Sequence, residues 1–153
     1  MIVIKKITPA DNLAKLVDEI NQAAWDETNE MTEYDAESLL AYLERQDTIF
    51  VTCHNVVTDQ ATLMGIASSR IEMKPYGKEL WLYVDEVDVC SDQRQKGAGK
   101  AIMNHLIAFA RETGCEELWL GTEVENAPAN ALYQSLDPDD VAEVIGYTYE
   151  TDD

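Results

Sequence analysis

The stretch from Leu80 to Thr122 limits the possible folds of this chain more than any other. Leu80 to Val89 is the longest strand candidate, rich in β-branched and aromatic residues. A turn bearing Gly97 and Gly99 follows. Ile102, Leu106, Phe109 and Ala110 then recur at helical spacing in a helix predicted over Ala98 to Thr113, with Gly114 placed as its C-cap. Glu117 to Thr122 reads as a strand again. Strand, helix and strand in that order make a crossover, which puts the chain among α/β sheets.

The flanking segments fill out the same architecture. Ile2 to Ile7 is a short β-branched strand, and Pro9 marks the start of a helix carrying Leu13, Leu16, Val17, Ile20 and Ala24. A polar patch from Asp26 to Glu33 separates it from a second helix with Ala36, Leu39, Leu40 and Leu43 on one face. Thr48 to Cys53 and Ala61 to Ile71 read as an antiparallel hairpin turning near Asn55 to Gln60, and Met73 to Lys78 as a loop. Pro128 to Leu136 is a short helix and Val141 to Tyr149 a final strand. The predicted order is βααβββαβαβ, an α/β (α+β) fold with a mixed, mostly antiparallel sheet flanked by helices. No repeat or linker divides the 153 residues, so 1–153 is read as a single domain.

Charge narrows the partners. Eleven Lys and Arg face thirty Asp and Glu, a formal net charge of −19. Such a field repels phosphate backbones and anionic lipid, so neither nucleic acid nor membrane is expected, and it favours a cationic partner. Much of the acidity reads as a heavily hydrated surface, as in salt-adapted or very soluble proteins. No apolar run approaches a membrane span and the amino terminus lacks signal-peptide features, so a cytoplasmic protein is expected. Cys53, Cys90 and Cys115 lack the paired spacing of a metal or disulfide framework, so reduced thiols and no metal are expected.

The chemistry points to Val87 through Lys100. A strand stops, a loop turns and a helix begins, which aims unpaired N–H groups and the positive end of the helix dipole at one point. Gly97 and Gly99 remove side chains where a ligand would touch the backbone. Arg94, Lys96 and Lys100 gather three of the eleven basic residues within seven positions. The plainer reading is an ordinary strand-to-helix turn. Neither the Walker A spacing nor the three-glycine dinucleotide fingerprint is present.

A second constellation, Asn126-Ala127-Pro128-Ala129-Asn130-Ala131-Leu132-Tyr133, follows the next strand. Together with Arg94-x-x-Gly97-x-Gly99 it resembles the GNAT superfamily of acyl-CoA-dependent N-acyltransferases, whose patterns are R/Q-x-x-G-x-G/A and N-x-x-A-x-x-L/F-Y. Leu82 to Leu136 is most similar to the aminoglycoside 3-N-acetyltransferases of that superfamily. One departure is Leu136-Asp137-Pro138, where L-G-F is usual.

The resemblance implies roles residue by residue. Acetyl-CoA is the implied co-substrate, with its pyrophosphate on Gln95, Lys96, Gly97, Ala98, Gly99 and Lys100 beside Arg94. Its pantetheine arm would run along Val87 to Val89, and the Val89 N–H would polarise the thioester oxygen. Glu86 is the first choice as base for the incoming ammonium, with Asp85 and Asp88 beside it and Glu123 as the second candidate. Strand alternation does not choose among them, because family members often carry a β-bulge here. Tyr133 is the implied proton donor to the leaving thiolate, against a plain packing role. Asn126 either orients the coenzyme or caps its helix.

The function implied is N-acetyl transfer to a primary amine of a small cationic substrate, by direct attack in a ternary complex. Aminoglycosides, and with them antibiotic resistance, are the class the resemblance names; polyamines satisfy the same electrostatics. The alternatives are a protein or peptide N-acetyltransferase and a non-catalytic acyl-CoA sensor. Related enzymes are often dimers, so a homodimer is expected. His54, His105, Cys90 and the three tryptophans read as structural or surface residues, and Asp137, Asp139 and Asp140 as an acidic turn or part of an acceptor pocket.

Overall fold

The computed structural model describes residues 1–152. The chain forms two compact units, Met1–Leu120 and Gly121–Asp153. The first holds β1 (Ile2–Lys6), α1 (Leu13–Gln22), α2 (Ala36–Glu44), β2 (Thr48–Val57), β3 (Gln60–Met73), β4 (Leu80–Val89), α3 (Ala98–Thr113) and β5 (Cys115–Trp119). Short 3-10 turns at Glu27–Asn29 and Ser91–Gln93 follow α1 and β4. The five strands lie in chain order, antiparallel from β1 to β4, with β5 parallel to β4 through the predicted crossover.

Both faces of the sheet are covered, each by the stripe the sequence marks. Leu13, Leu16, Val17 and Ile20 of α1 and Leu39 and Leu43 of α2 form one core with Phe50 and Ile66. On the other face α3 buries Ile102, Leu106 and Ala110 against the sheet, with Met103 added to the predicted stripe and Phe109 only half-buried. Ile102 and Leu106 are wholly inaccessible, and burying each contributes about 1.5–3 kcal/mol. Gly114 closes α3 in a left-handed conformation (φ 85), and its N–H returns to the Ala110 and Arg111 carbonyls.

The hairpin between β2 and β3 is tighter than its sequence implied. The strands run on to a Val57–Gln60 pair, leaving a two-residue turn in which Thr58 takes a left-handed φ of 56. β5 begins two residues earlier than expected and stops at Trp119.

The second unit contains α4 (Ala127–Gln134). The final strand expected over Val141 to Tyr149 is not formed: residues 137–152 lie in neither helix nor strand. A strand needs an edge to pair with, and the regular element of this unit is a helix, which offers none. Asp137, where the resemblance leads one to expect glycine, adopts the left-handed region itself (φ 53), which Asp tolerates better than most side chains. Among the described residues no helix is long and apolar enough to cross a membrane.

Candidate active site

The site begins with one extra residue in β4. Ser68 pairs with Glu86 while Ser69 pairs with Val84, so Asp85 is inserted between two rungs of the β3–β4 ladder. In a regular strand Asp85 and Glu86 would point to opposite faces. The bulge turns both toward the α1–α2 face. Asp85 accepts from Arg70 Nε at 3.3 Å, and Glu86 lines a cavity of about 370 Å³ with Tyr34, Tyr42, Phe50 and Ser68. Asp88, 7% exposed, joins the same side through Asn29.

That cavity is aromatic below and acidic above. The Tyr34 and Phe50 rings lie 6.0 Å apart and Tyr42 meets Phe50 edge-on at 6.4 Å, while Glu30, Glu33 and Asp35 stand at the rim. The Tyr42 hydroxyl donates to the Ser69 carbonyl at 2.9 Å, and Tyr34 is held by a reciprocal pair of hydrogen bonds with Asn21. Burial, assisted by nearby carboxylates, pushes both phenols up to about 12, so they stay protonated. Burial also raises Glu86, and the charges of Asp88 and Asp85 raise it further. An ammonium ion is the guest that relieves this crowding and also favours ring faces.

Beside the acids, β4 has an open edge. β5 pairs with it only from Leu80 to Tyr83, so from Val84 to Val89 that edge is free of β5. The Cys90 N–H donates across the sheet to Met64 O at 2.8 Å. Successive amides of an extended strand point to opposite edges, so the Val89 N–H faces the open one. A pantetheine arm has the amide pattern to fill such an edge.

The loop then turns with Gln95 (φ 61) and Gly97 (φ 90) left-handed, and α3 starts at Ala98 without a side-chain cap. Its first N–H groups therefore have no side-chain acceptor at the cap. Lys96 Nζ leans back toward the Asp92 carbonyl at 3.4 Å, Lys100 is exposed, and Ala98 is buried. These features fit a diphosphate.

Arg94 has partners within the protein that the sequence did not reveal. Its guanidinium takes the Asp26 carboxylate through both terminal nitrogens and also reaches Thr28 Oγ1 at 3.2 Å and Asn29 Oδ1 at 3.1 Å. The side chain therefore ties the loop after α1 to the loop after β4 and is not a free member of the basic cluster. Arg94 and Thr28 hold the Asp26 carboxyl well below the usual carboxylate range. Asn29 completes the tie by donating to Asp88 Oδ1 at 3.0 Å and to the Val89 carbonyl at 3.4 Å. Burial raises Asp88, and this hydrogen bond opposes the rise. Sequence reasoning passed over Asn29 as part of a polar separator. The available signal was Asp26-x-x-Asn29, a reciprocal cap of the short turn.

In the second unit Asn126 caps α4, its side chain accepting from Ala129 N at 3.2 Å, which settles the capping half of its two readings. Asn130, also overlooked, donates to the carbonyls of Glu123 at 3.0 Å and Asn126 at 2.8 Å and so fixes the turn before the helix. Glu123 is exposed, and Tyr133 is half-buried in the last turn of α4. His54 pairs with Glu19 at 2.7 Å, and the buried Cys90 thiol is pushed up to about 12.

Residues 14–137 match the Acetyltransferase (GNAT) family. The chain belongs to the GNAT acetyltransferase family. Among its relatives, streptothricin acetyltransferase of Streptomyces lavendulae is 38% identical over 55 residues, 36% of this chain and 29% of that one. The [ribosomal protein bS18]-alanine N-acetyltransferase of Escherichia coli (strain K12) is 35% identical over 81 residues, 53% of this chain and 40% of that one. The GNAT chain thus matches less than half the length of these relatives. An aminoglycoside acetyltransferase, meta-AAC0020, from an uncultured soil metagenomic sample in complex with sisomicin superposes with a TM-score of 0.83 at 18% identity, covering 99% of this chain and 97% of that one. At that identity the likeness shows a shared GNAT fold.

Proposed function

We propose that this chain transfers the acetyl group of acetyl-CoA to a primary amine of a small cationic substrate, by direct attack in a ternary complex. Aminoglycoside-like and polyamine-like amines are the acceptors we assign, with the 3-amino group of an aminoglycoside the first to try. We further take 1–153 as one GNAT domain and the working enzyme as a homodimer. The observation that carries the reading is the β4 bulge, which aims Glu86 into an aromatic, acid-rimmed cavity next to an open strand edge.

Acetyl-CoA supplies the acetyl group as a thioester. Gln95 to Lys100 hold its pyrophosphate through main-chain N–H groups and lysine charge, and the Val87–Val89 edge aligns the arm. The Val89 N–H meets the negative charge that grows on the carbonyl oxygen. Glu86 takes the proton the ammonium must lose before its nitrogen forms the new C–N bond, and its raised pKa brings it closer to that task at neutral pH. Tyr133 returns a proton to the sulfur as the C–S bond breaks. A free phenol at about 10 is a weaker acid than a thiol near about 8.5, so the local field must assist this step. Glu123 is the alternative base.

One observation favours a second reading, a peptide or protein amino terminus as acceptor: the 81-residue match to the bS18-alanine acetyltransferase. Incubation with acetyl-CoA and a panel of aminoglycosides, polyamines and peptides, followed by release of free thiol, tests both. Turnover on small polycations supports the proposal. Turnover on peptides alone replaces it with the second reading, and coenzyme binding without turnover on any amine makes the chain a sensor.

A further inference from the structure

We propose that Asn29 is a positioning residue for acetyl transfer: it closes the open edge of β4 at Val89 and so sets how far along that edge the acyl arm of the coenzyme can run. The inference rests on the coenzyme reading given under the proposed function.

Asn29 makes every hydrogen bond that an amide side chain can make. Its Oδ1 accepts from the Asp26 N–H and from Arg94 Nη2, each at 3.1 Å. Its Nδ2 donates to Asp88 Oδ1 at 3.0 Å and to the Val89 carbonyl at 3.4 Å. Two donors aimed at Oδ1 leave one orientation for the amide, with its NH2 group turned to the end of β4. The reciprocal cap between Asp26 and Asn29 fixes the short turn from which this side chain reaches.

The end of β4 is held from its other side as well. Gly65 of β3 pairs with Val89. A Cβ on Gly65 would lie 2.7 Å from the Asp88 carbonyl oxygen and 3.4 Å from Val89 Cα, so β3 approaches this peptide group more closely than a side chain there allows. The same peptide group carries the Val89 N–H. In an extended strand the N–H and C=O of one residue point to the same edge, so Val87 and Val89 each turn both groups to the open one. Asn29 takes the Val89 C=O and stands beyond it. The groups left for a strand-like arm are the Val87 N–H and C=O and the Val89 N–H. Pairing must end at the last of these, which holds the thioester oxygen at the Val89 amide and prevents the arm from sliding one rung further.

Difference infrared spectroscopy of acetyl-CoA, isotope-labelled at the thioester carbonyl and bound to the full chain without amine, tests this, with calorimetry for affinity and the thiol assay for turnover. In the parent the carbonyl band should lie below its position in buffer, because the Val89 N–H polarises it. Asn29→Ala removes the stop and frees the Val89 carbonyl as an extra rung. The band should then return to its position in buffer and kcat should fall about 30-fold or more, while the acetyl-CoA Kd stays within about threefold and the circular dichroism is unchanged. Asn29→Asp keeps an acceptor for Arg94 and for the Asp26 N–H but donates nothing, so it should behave as Asn29→Ala does. A parent-like band and kcat in either variant overturns the proposal; in Asn29→Asp it would make the tie to Arg94 the whole of the role. Circular dichroism lost in both variants, or acetyl-CoA affinity lost more than about tenfold in both, overturns it as well, because the side chain then only holds the loop. A parent that binds no acetyl-CoA removes the coenzyme reading itself, and this inference with it.

Discussion

The two sides of β4 are built from different materials. The edge and the loop that follows it present main-chain groups: the Val89 amide, left-handed Gln95 and Gly97, and the uncapped start of α3. The cavity on its α1–α2 face presents side chains: Tyr34, Tyr42, Phe50 and Glu86 under an acidic rim. A backbone site needs glycine, small residues and a helix start, and those recur as a motif wherever the same coenzyme is held. A side-chain site is cut to its own guest and can change without disturbing the fold. Arg94 and Asn29 lie between the two and bind them to each other.

The sharpest way to separate the two sides is Glu86→Gln. If Glu86 is the base as proposed, its removal should lower kcat by about 100-fold or more while the KM for acetyl-CoA stays within about twofold. In the parent enzyme the acid limb of kcat/KM should lie above the ordinary 4.5, because Glu86 is raised, and the substitution should erase that limb. An unchanged profile would move the base to Glu123 or to bulk solvent. The same substitution should raise the midpoint of thermal unfolding at neutral pH. A raised carboxyl favours the fold when protonated and loses that contribution as pH rises through its folded value, and Gln does not ionise.

Breaking the tie should blur the comparison by affecting both sides at once. Arg94→Lys keeps the charge but loses the fork that spans Asp26, Thr28 and Asn29. We expect the KM values for acetyl-CoA and for the amine to rise together, each by about tenfold at the cost of about 1.4 kcal/mol in binding. A rise confined to acetyl-CoA would return Arg94 to the phosphate site. Asp26 gives the matching pH effect. Its depressed pKa contributes stability above the ordinary value of 3.8, and this is lost as pH falls through the folded value. Asp26→Asn should therefore flatten the acid end of a stability-versus-pH curve measured by urea unfolding.

The smallest expected effect marks the acceptor side alone. Tyr42→Phe removes the hydroxyl that donates to the Ser69 carbonyl beneath the cavity. The fold should lose about 1 kcal/mol in denaturant titrations, and the amine KM should rise about threefold with acetyl-CoA unaffected. An equal change in the coenzyme KM would show that the cavity and the edge are not separate.

Local regularity explains which parts were legible. α3 and β4 were predicted to the residue, because a 16-residue amphipathic helix between glycines and a ten-residue β-rich run obey rules that act over a few positions. The C-terminal strand and the end of β5 were not, because strand pairing depends on an edge elsewhere and not on the segment alone. The contact of Arg94 with Asp26 was not legible, since sequence shows neighbours along the chain and Asp26 lies 68 positions away.

By itself the sequence determined the order of elements from β1 to α4, most of the buried stripes, and the loop from Gln95 to Lys100 that leads into an uncapped helix start. These follow from spacing, chain stiffness and the unpaired amides at a helix start, and all are local. The tertiary structure decided which acids share a face, since a single inserted residue at Asp85 reverses the alternation of β4 only when β3 is paired beside it. It also decided that Arg94 binds carboxylate and that the cavity is aromatic. Those outcomes depend on which distant groups meet at hydrogen-bonding range, and packing fixes such distances.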